Sequence, residues 1–393
     1  MPKRVIDNVE KPTALDRLVR ILTAVKNYFT SADNILLALC LSACAFGLMM
    51  IYSATRSYSN PGNYIFVHSM AMGIGLLLYF IFSLIDIEFV SERWKLLMLF
   101  NILFISTLFI WGVEGDTGNK NWLRIQGLGI GIQPAEIVKV SFIVLLAKQI
   151  SWLNGTRNGI NAIGSVLSLV GHFIMIFGLI LVSSRDLGTG LVYLAIFLVM
   201  LFGSGLKVYW FLLGGAILGA LSPTIWSSFL NDNQRNRILG PYFPDIIDPS
   251  GVGINWQANQ SKLALASGKL FGQGYLQGTQ SQSSNLPFKH TDFIFSVVGE
   301  ELGLVGCIAV IVLLLLIIVR CIYVGVQSKS RMKFAICLGI SSMIAFQAFE
   351  NIGMCIGLTP VVGITLPFFS YGGSSILTVT ASLGVVSGIR RHS

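Results

Sequence analysis

The sequence predicts an all-α polytopic membrane protein of about ten transmembrane helices, with one large extracytoplasmic loop. Three observations predict it. Of 393 residues 54% are hydrophobic and only 11% charged, and the mean hydropathy is +0.74, whereas soluble domains carry roughly 25% charged residues. Continuous apolar runs such as Ile308 to Val319 recur between short polar segments, and a bilayer core about 30 Å thick needs roughly 20 such residues per helix. The runs do not alternate apolar and polar residues as barrel strands do, so the backbone must satisfy its polar groups within helices.

Taken in order, the chain opens with a polar, basic arm over residues 1–34 (Lys3, Arg4, Lys11, Arg17, Arg20, Lys26). It is too long and too charged for a cleavable signal peptide and reads as cytoplasmic. Residues 35–393 then read as one membrane domain, with spans at 35–54, 64–85, 96–113, 135–153, 162–182, 188–206, 208–228, 292–324, 333–358 and 370–389. An even number of spans puts both termini on one side. With the N-terminus inside, 17 of the 27 lysines and arginines fall in cytoplasmic segments and 10 outside, which sets the orientation.

The outer cations are concentrated. Lys120, Arg124 and Lys139 follow the third span, and Arg235, Arg237, Lys262, Lys269 and Lys289 lie in or at the end of the long loop, residues 229–291. They are expected to form a cationic outer face suited to phosphates or pyrophosphates, with bulk anionic headgroups as the plainer alternative. The net charge of +9 does not point to nucleic acid, because no basic run interleaves with aromatic residues. Within the loop, Trp256 to Leu270 is amphipathic and is expected to lie as a helix on the membrane surface. The six cysteines sit in or beside apolar spans with no CxxC pair and read as packing residues. No HExxH or Walker-type glycine loop occurs, so zinc hydrolysis and ATP-driven pumping have no support.

Four constellations can carry chemistry. In Lys289-His290-Thr291-Asp292-Phe293-Ile294-Phe295 a carboxylate stands where a polar loop enters an apolar helix. Partial desolvation there raises a carboxylate's proton affinity and suits it to general-base work, while an N-cap role is the alternative; Thr291 can cap and leave Asp292 free. Glu136 and Lys139, three residues apart, share a helix face and can neutralise each other. With Arg185 and Asp186, Glu300 and Glu301, and Glu350, they are ionisable groups at membrane depth, functional or structural. The break Ser183 to Gly188 resembles the unwound backbone that lines transporter cavities. Pro367 to Ser375 reads as a loop leading into a helix start rich in small polar residues, fit for a phosphate or for close packing. His68 and His172 stand alone in apolar spans and read as hydrogen-bonded core histidines.

From about residue 35 to the C-terminus the chain resembles the SEDS (shape, elongation, division and sporulation) family of peptidoglycan glycan-strand polymerases. The resemblance is carried by GNKNWLRI, QPAEIVK, RDLGTG, QRNRIL, WQANQSKLALASG, GQGYLQGTQSQ, HTDFIFSVVGEELGLVG and LPFFSYGGSS in order. The GYLQGTQSQ and QSKLALASG forms are more similar to the elongation branch, RodA, than to the division branch, FtsW. The resemblance implies a GT-C-like helical fold and an enzyme that polymerises lipid II during cell elongation and shape maintenance. It implies Asp292 as the catalytic base, and Trp122, Glu136, Lys139, Asp186, Arg235 and Arg237 as cavity residues. Two positions depart from the pattern: Phe288 where relatives usually have Glu, and Arg185 where they usually have Pro.

The expected reaction transfers a glycan chain from undecaprenyl pyrophosphate to the 4-hydroxyl of the N-acetylglucosamine of lipid II, with inversion. Asp292 would take the hydroxyl proton, and Arg235 and Arg237, helped by Lys262 or Lys269, would stabilise the departing pyrophosphate. No metal-ligand cluster is evident, although a divalent cation, Mg or Mn, bridging the pyrophosphate is chemically consistent. The resemblance also implies a class B penicillin-binding protein, a transpeptidase, as partner, with other cell-elongation membrane proteins, in a bacterial cytoplasmic (inner) membrane. A lipid II flippase, consistent with the broken helices and a buried Arg185/Asp186 pair, and a non-catalytic scaffold for that transpeptidase are the rival readings.

Overall fold

The structure, a computed structural model, describes residues 23, 26–114, 119–125, 130–283 and 285–393. Most of the N-terminal arm, and with it Lys3, Arg4, Lys11, Arg17 and Arg20, lies outside the described residues. Ten helices of at least 17 residues occur among those described, one for each predicted span. They are α1 (Asn34–Thr55), α2 (Pro61–Leu84), α4 (Trp94–Trp111), α5 (Pro134–Gly155), α6 (Ile163–Ser184), α7 (Leu187–Gly203), α8 (Val208–Thr224), α12 (Ile294–Gln327), α13 (Arg331–Ile356) and α14 (Gly373–Arg391). Short α3 (Ile87–Glu92) links α2 to α4, and an antiparallel hairpin, β1 (Leu123–Ile125) and β2 (Ile130–Ile132), precedes α5.

Seven of the ten are long and apolar enough to cross a membrane. The others are α5, α7 and α14, and the sequence shows why. Helix α7 is only 17 residues long, whereas α8, of the same length, runs on through a π-helical turn to make a 21-residue span, Val208–Ser228. Helix α5 carries Glu136, Lys139 and Lys148, and α14 is rich in Ser, Thr and Gly. Both α5 and α14 are largely buried among their neighbours, where a helix need not be apolar all round. Small residues let backbones meet: a Cβ on Gly75 of α2 would fall 2.1 Å from the Thr380 hydroxyl of α14, and one on Gly384 would fall 2.5 Å from Tyr79 Cα. Helix α8 is the opposite case, with no buried residue.

Local signals fix the helix starts. Asp33 caps α1, its carboxylate accepting the Leu36 N–H at 3.0 Å, and pairs with Arg320 of α12 at 3.0 Å and Arg390 of α14 at 3.9 Å. One buried carboxylate thus ties three helices together at the end where the chain enters the bundle. Proline stands in the first turn of α2 and of α5, where its missing N–H costs nothing.

The long loop contains α9 (Asp232–Leu239), α10 (Pro244–Ile247) and α11 (Trp256–Ser267). Helix α9 starts with a capping box of Asn231 and Gln234. The amphipathic stretch is helical as expected, but its inner face does not rest on lipid. Ala258, Ser261 and Ala264 are buried against α12 and α13, and the Ser261 hydroxyl meets Cys355 O at 2.7 Å.

Helix α12 is broken at Gly303 (φ 68°, ψ −164°), a conformation that only glycine adopts without strain. The loop segment 269–274 fills the break: Gln273 and Gly274 N–H donate to Glu300 and Glu301 O (2.9 and 3.0 Å), and Leu304 and Val305 N–H donate to Lys269 and Leu270 O (2.9 and 3.2 Å). The two glutamates point into the loop. Glu300 accepts the N–H groups of Gln280 and Ser281 (both 2.7 Å), and Glu301 accepts from Ser53, Leu276, Ser281 and Gln282 (2.6 to 3.1 Å). Their burial is therefore explained by anchoring.

Candidate active site

A cavity of about 420 Å³ opens between the hairpin, the starts of α5, α7 and α14, the extended segment 361–365 and the end of the long loop. Asp292 lines it. The helix cap falls to Phe293, with no side-chain capping bond, and Thr291 turns its hydroxyl to Phe288 O at 3.2 Å. Asp292 is held by its own carbonyl, which accepts from Asn351 Nδ2 at 2.8 Å, while the same amide group donates to Ile364 O at 2.8 Å. Asn351 thereby fixes the base of the loop to the segment opposite. The Asp292 carboxylate has no hydrogen-bond partner among the described residues, and Gly363 (φ 73°) brings bare backbone close to it. Loss of water around Asp292, and secondarily the nearby Asp186 charge, push its pKa up to about 7.

Asp186 has the opposite surroundings. It caps α7, accepting the Thr189 N–H at 3.0 Å, and receives the Thr189 hydroxyl at 2.8 Å, Asn121 Nδ2 at 3.0 Å and Gln133 Nε2 at 3.3 Å. The preceding residue, Arg185, ends α6 in the left-handed region (φ 56°) and is exposed. The expected buried Arg185/Asp186 pair does not form, because the turn sends the two side chains apart. The break at 183–188 is a tight connection between two helices, with both new ends capped.

Glu136 lines the cavity, whereas Lys139, one turn deeper, is fully buried and donates to Glu136 Oε1 at 2.6 Å. Lys139 thus corrects the expectation of an outer cation: it neutralises Glu136 inside the bundle. Trp122 lines the cavity, its ring packed on Gly131 across the hairpin. Arg237, in the last turn of α9, lines both this cavity and a smaller one beside it, which Lys262 also lines.

Three other cations stand elsewhere. Arg235 turns back to the end of α8, donating to Trp226 O (2.8 Å), Ser227 O (2.9 Å) and Asp232 (3.1 Å). Lys269 is exposed, lines neither cavity, and contributes its backbone to the α12 break. Lys289 is buried and donates to Ser57 Oγ, Ser281 O and Ser283 O (2.6, 2.5 and 2.7 Å). Desolvation lowers its pKa to about 8 against the opposing pull of Glu300 and Glu301. The cationic face is thus reduced at the cavity to Arg237, with Lys262 next to it.

The loop before α14 packs closely. A Cβ on Gly47 would lie 2.1 Å from Phe368 O, Ser370 Oγ donates to Thr291 O at 2.6 Å, and Tyr371 N–H donates to His290 O at 2.8 Å. His172 meets Gln149 Oε1 at 2.8 Å. His68 departs from expectation: neither ring nitrogen has a hydrogen-bond partner among the described residues, and its ring tilts against Tyr371.

Polar lining residues that the sequence reading did not single out include Asn121, Gln133, Thr189 and Gln347. Asn121 and Gln133 fall inside motifs already noted for Trp122 and Glu136. Gln347 and Asn351, one turn apart in the span that also carries Glu350, are the signal that could have marked the helix facing the cavity. No group of three or more His, Cys, Asp or Glu side chains that could hold a metal ion occurs among the described residues.

Residues 34–393 match the model of the FtsW/RodA/SpoVE family, described as cell cycle proteins. The chain is 34% identical over 350 residues to the peptidoglycan glycosyltransferase MrdB of Escherichia coli K12, covering 88% of this chain and 91% of that one. It is 33% identical over 375 residues to stage V sporulation protein E of Bacillus subtilis, covering 93% and 98%. Among solved structures it resembles a chain of a peptidoglycan synthase complex described as coordinating polymerization and crosslinking (TM-score 0.77, 28% identity, 92% of this chain and 98% of that one). It also resembles the rod shape determining protein RodA of Thermus thermophilus (TM-score 0.67, 26% identity, 92% and 97%).

Proposed function

The chain belongs to the FtsW/RodA/SpoVE family of cell cycle proteins, and on that premise we propose that it extends glycan strands from lipid II with Asp292 as the general base. It is a polytopic membrane enzyme, a peptidoglycan glycosyltransferase, as relatives of that name indicate. The observation that carries the residue assignment is the Asp292 carboxylate: half-buried, without a hydrogen-bond donor among the described residues, and open to a cavity large enough for a sugar.

The attacking 4-hydroxyl of the lipid II sugar gives its proton to Asp292 as its oxygen bonds to the anomeric carbon of the growing strand. The bond from that carbon to the pyrophosphate oxygen breaks, and negative charge develops on the leaving group. Arg237, with Lys262 beside it, is placed to meet that charge. Arg235 and Lys269 serve the loop's own fold instead. A divalent cation, Mg or Mn, would be carried by the phosphates, since no acidic cluster for one occurs among the described residues.

The excess of basic residues on one side supports a bacterial cytoplasmic membrane setting with both termini cytoplasmic and the long loop outside. A class B penicillin-binding protein is the proposed transpeptidase partner, alongside other cell-elongation membrane proteins; the likeness to a synthase complex that couples polymerization to crosslinking supports it. The flippase reading loses its buried Arg185/Asp186 pair. The purified protein, given lipid II, should form a glycan ladder on a gel, with and without the partner and with EDTA as the cation control. Scrambling of fluorescent lipid II in proteoliposomes without any polymer would reject the enzyme reading.

A further inference from the structure

The last turn of α13 supports both ends of the proposed reaction. On one side Asn351 Nδ2 donates to the Asp292 carbonyl at 2.8 Å, and the Cys355 thiol, four residues on and on the same face, donates to that carbonyl at 3.7 Å. Past the end of the helix Gly357 turns into the left-handed region (φ 77°), and the Lys262 side chain crosses it: a Cβ there would lie 3.2 Å from Lys262 Cδ and 3.4 Å from Nζ. The base and a cation beside the leaving group therefore share one support.

The residue before Lys262 fastens it to that support. Ser261 is fully buried on a face of α11 whose other buried members are Ala258 and Ala264, so packing alone would be served by a third alanine. Its hydroxyl donates to Cys355 O at 2.7 Å and lies 2.5 Å from Ser296 Oγ in the first turn of α12. A carbonyl only accepts, so the single Ser261 proton goes to Cys355 O and Ser296 must donate to Ser261. A one-way chain thus runs from Ser296, four residues beyond Asp292, through Ser261 to the residue whose thiol touches Asp292. The far end of α11 is fastened separately, by buried Ala264 and by Gly268, whose lack of a Cβ lets it sit on the Gly299 carbonyl. Loss of the Ser261 hydroxyl would loosen the half that carries Lys262 and leave the helix docked.

We propose that Ser261 is a positioning residue for the polymerisation: its bonds to Cys355 O and Ser296 set where Lys262 stands relative to Asp292. Ser261 lines neither cavity and touches no substrate. It acts by holding the Lys262 ammonium where charge develops on the departing pyrophosphate, in register with the base that starts the step. The proposal rests on the glycosyltransferase reading above and adds to it a residue outside the cavity.

The test is steady-state polymerisation of lipid II by the purified full-length protein, with Ser261→Ala made in the wild-type and in the Lys262→Ala background. Ser261→Ala should lower kcat about 10-fold with KM within about two-fold, because a misplaced charge is lost from the transition state rather than from binding. In the Lys262→Ala background the same change should cost less than about two-fold, since no ammonium is left to place. Ser261→Cys, close in size and with a weak S–H donor, should fall between the two and is read in both backgrounds where the alanine variant fails to fold. An equal loss in both backgrounds would make Ser261 a purely structural residue, and no loss in either would make its hydroxyl idle; each overturns the proposal. Absence of polymer from the wild-type protein would refute the glycosyltransferase reading, and the proposal with it, before any variant is compared.

Discussion

Asp292 and Asp186 share a cavity, and their neighbours set them to different work. Four donors hold Asp186, whereas the Asp292 carboxylate has none among the described residues, and desolvation raises its pKa to about 7. A base works in its ionised form, so kcat/KM for polymerisation should fall about tenfold per pH unit below about pH 7 and level off above it. Initial rates between about pH 5.5 and 8.5 check this, and a flat profile through pH 7 would contradict it. The two arginines two residues apart on α9 give a second test. Arg237→Ala should lower polymerisation on the order of 100-fold by exposing the leaving-group charge, while Arg235→Ala should cost less than about 10-fold. Equal losses in the same gel assay would mean that Arg235 reaches the substrate after all.

At the scale of elements, the joint between the long loop and α12 decides where Asp292 sits. Glu300, Glu301 and the Gly303 break bind the loop's middle, Lys289 binds its end, and Asn351 clamps Asp292 itself. A methyl on Gly303 would lie 2.4 Å from Gly272 N and would force alanine to φ 68°. Gly303→Ala should therefore destabilise the protein by on the order of 2 kcal/mol or more, visible as a lower unfolding temperature in detergent. An unchanged transition would show that the break is incidental. The spans were legible because hydropathy and length report membrane helices directly, and Asp292 because a carboxylate at a loop-to-helix boundary is conspicuous. The partners of Glu300, Glu301 and Lys289 were not legible. They lie in a Gly/Ser-rich loop whose path depends on backbone hydrogen bonds to a broken helix, and no periodicity encodes that. For the same reason Arg235 and Arg237 looked equivalent until α9 pointed one toward the α8 end and the other toward the cavity.

At the scale of the whole molecule, the buried helices α5, α13 and α14 build a polar-lined cavity inside an apolar bundle, and the long loop covers it with Asp292 at its edge. The low-charge composition predicts the bundle but not the cavity, whose walls come from the least apolar spans. The most direct measurement is polymer formation from purified lipid II by Asp292→Asn, with lipid II binding measured on the same preparation. The account predicts binding within about threefold of wild type and a polymerisation rate lower by at least about 100-fold, the lower end expected for loss of a general base. Polymerisation within tenfold of wild type at intact binding would contradict it.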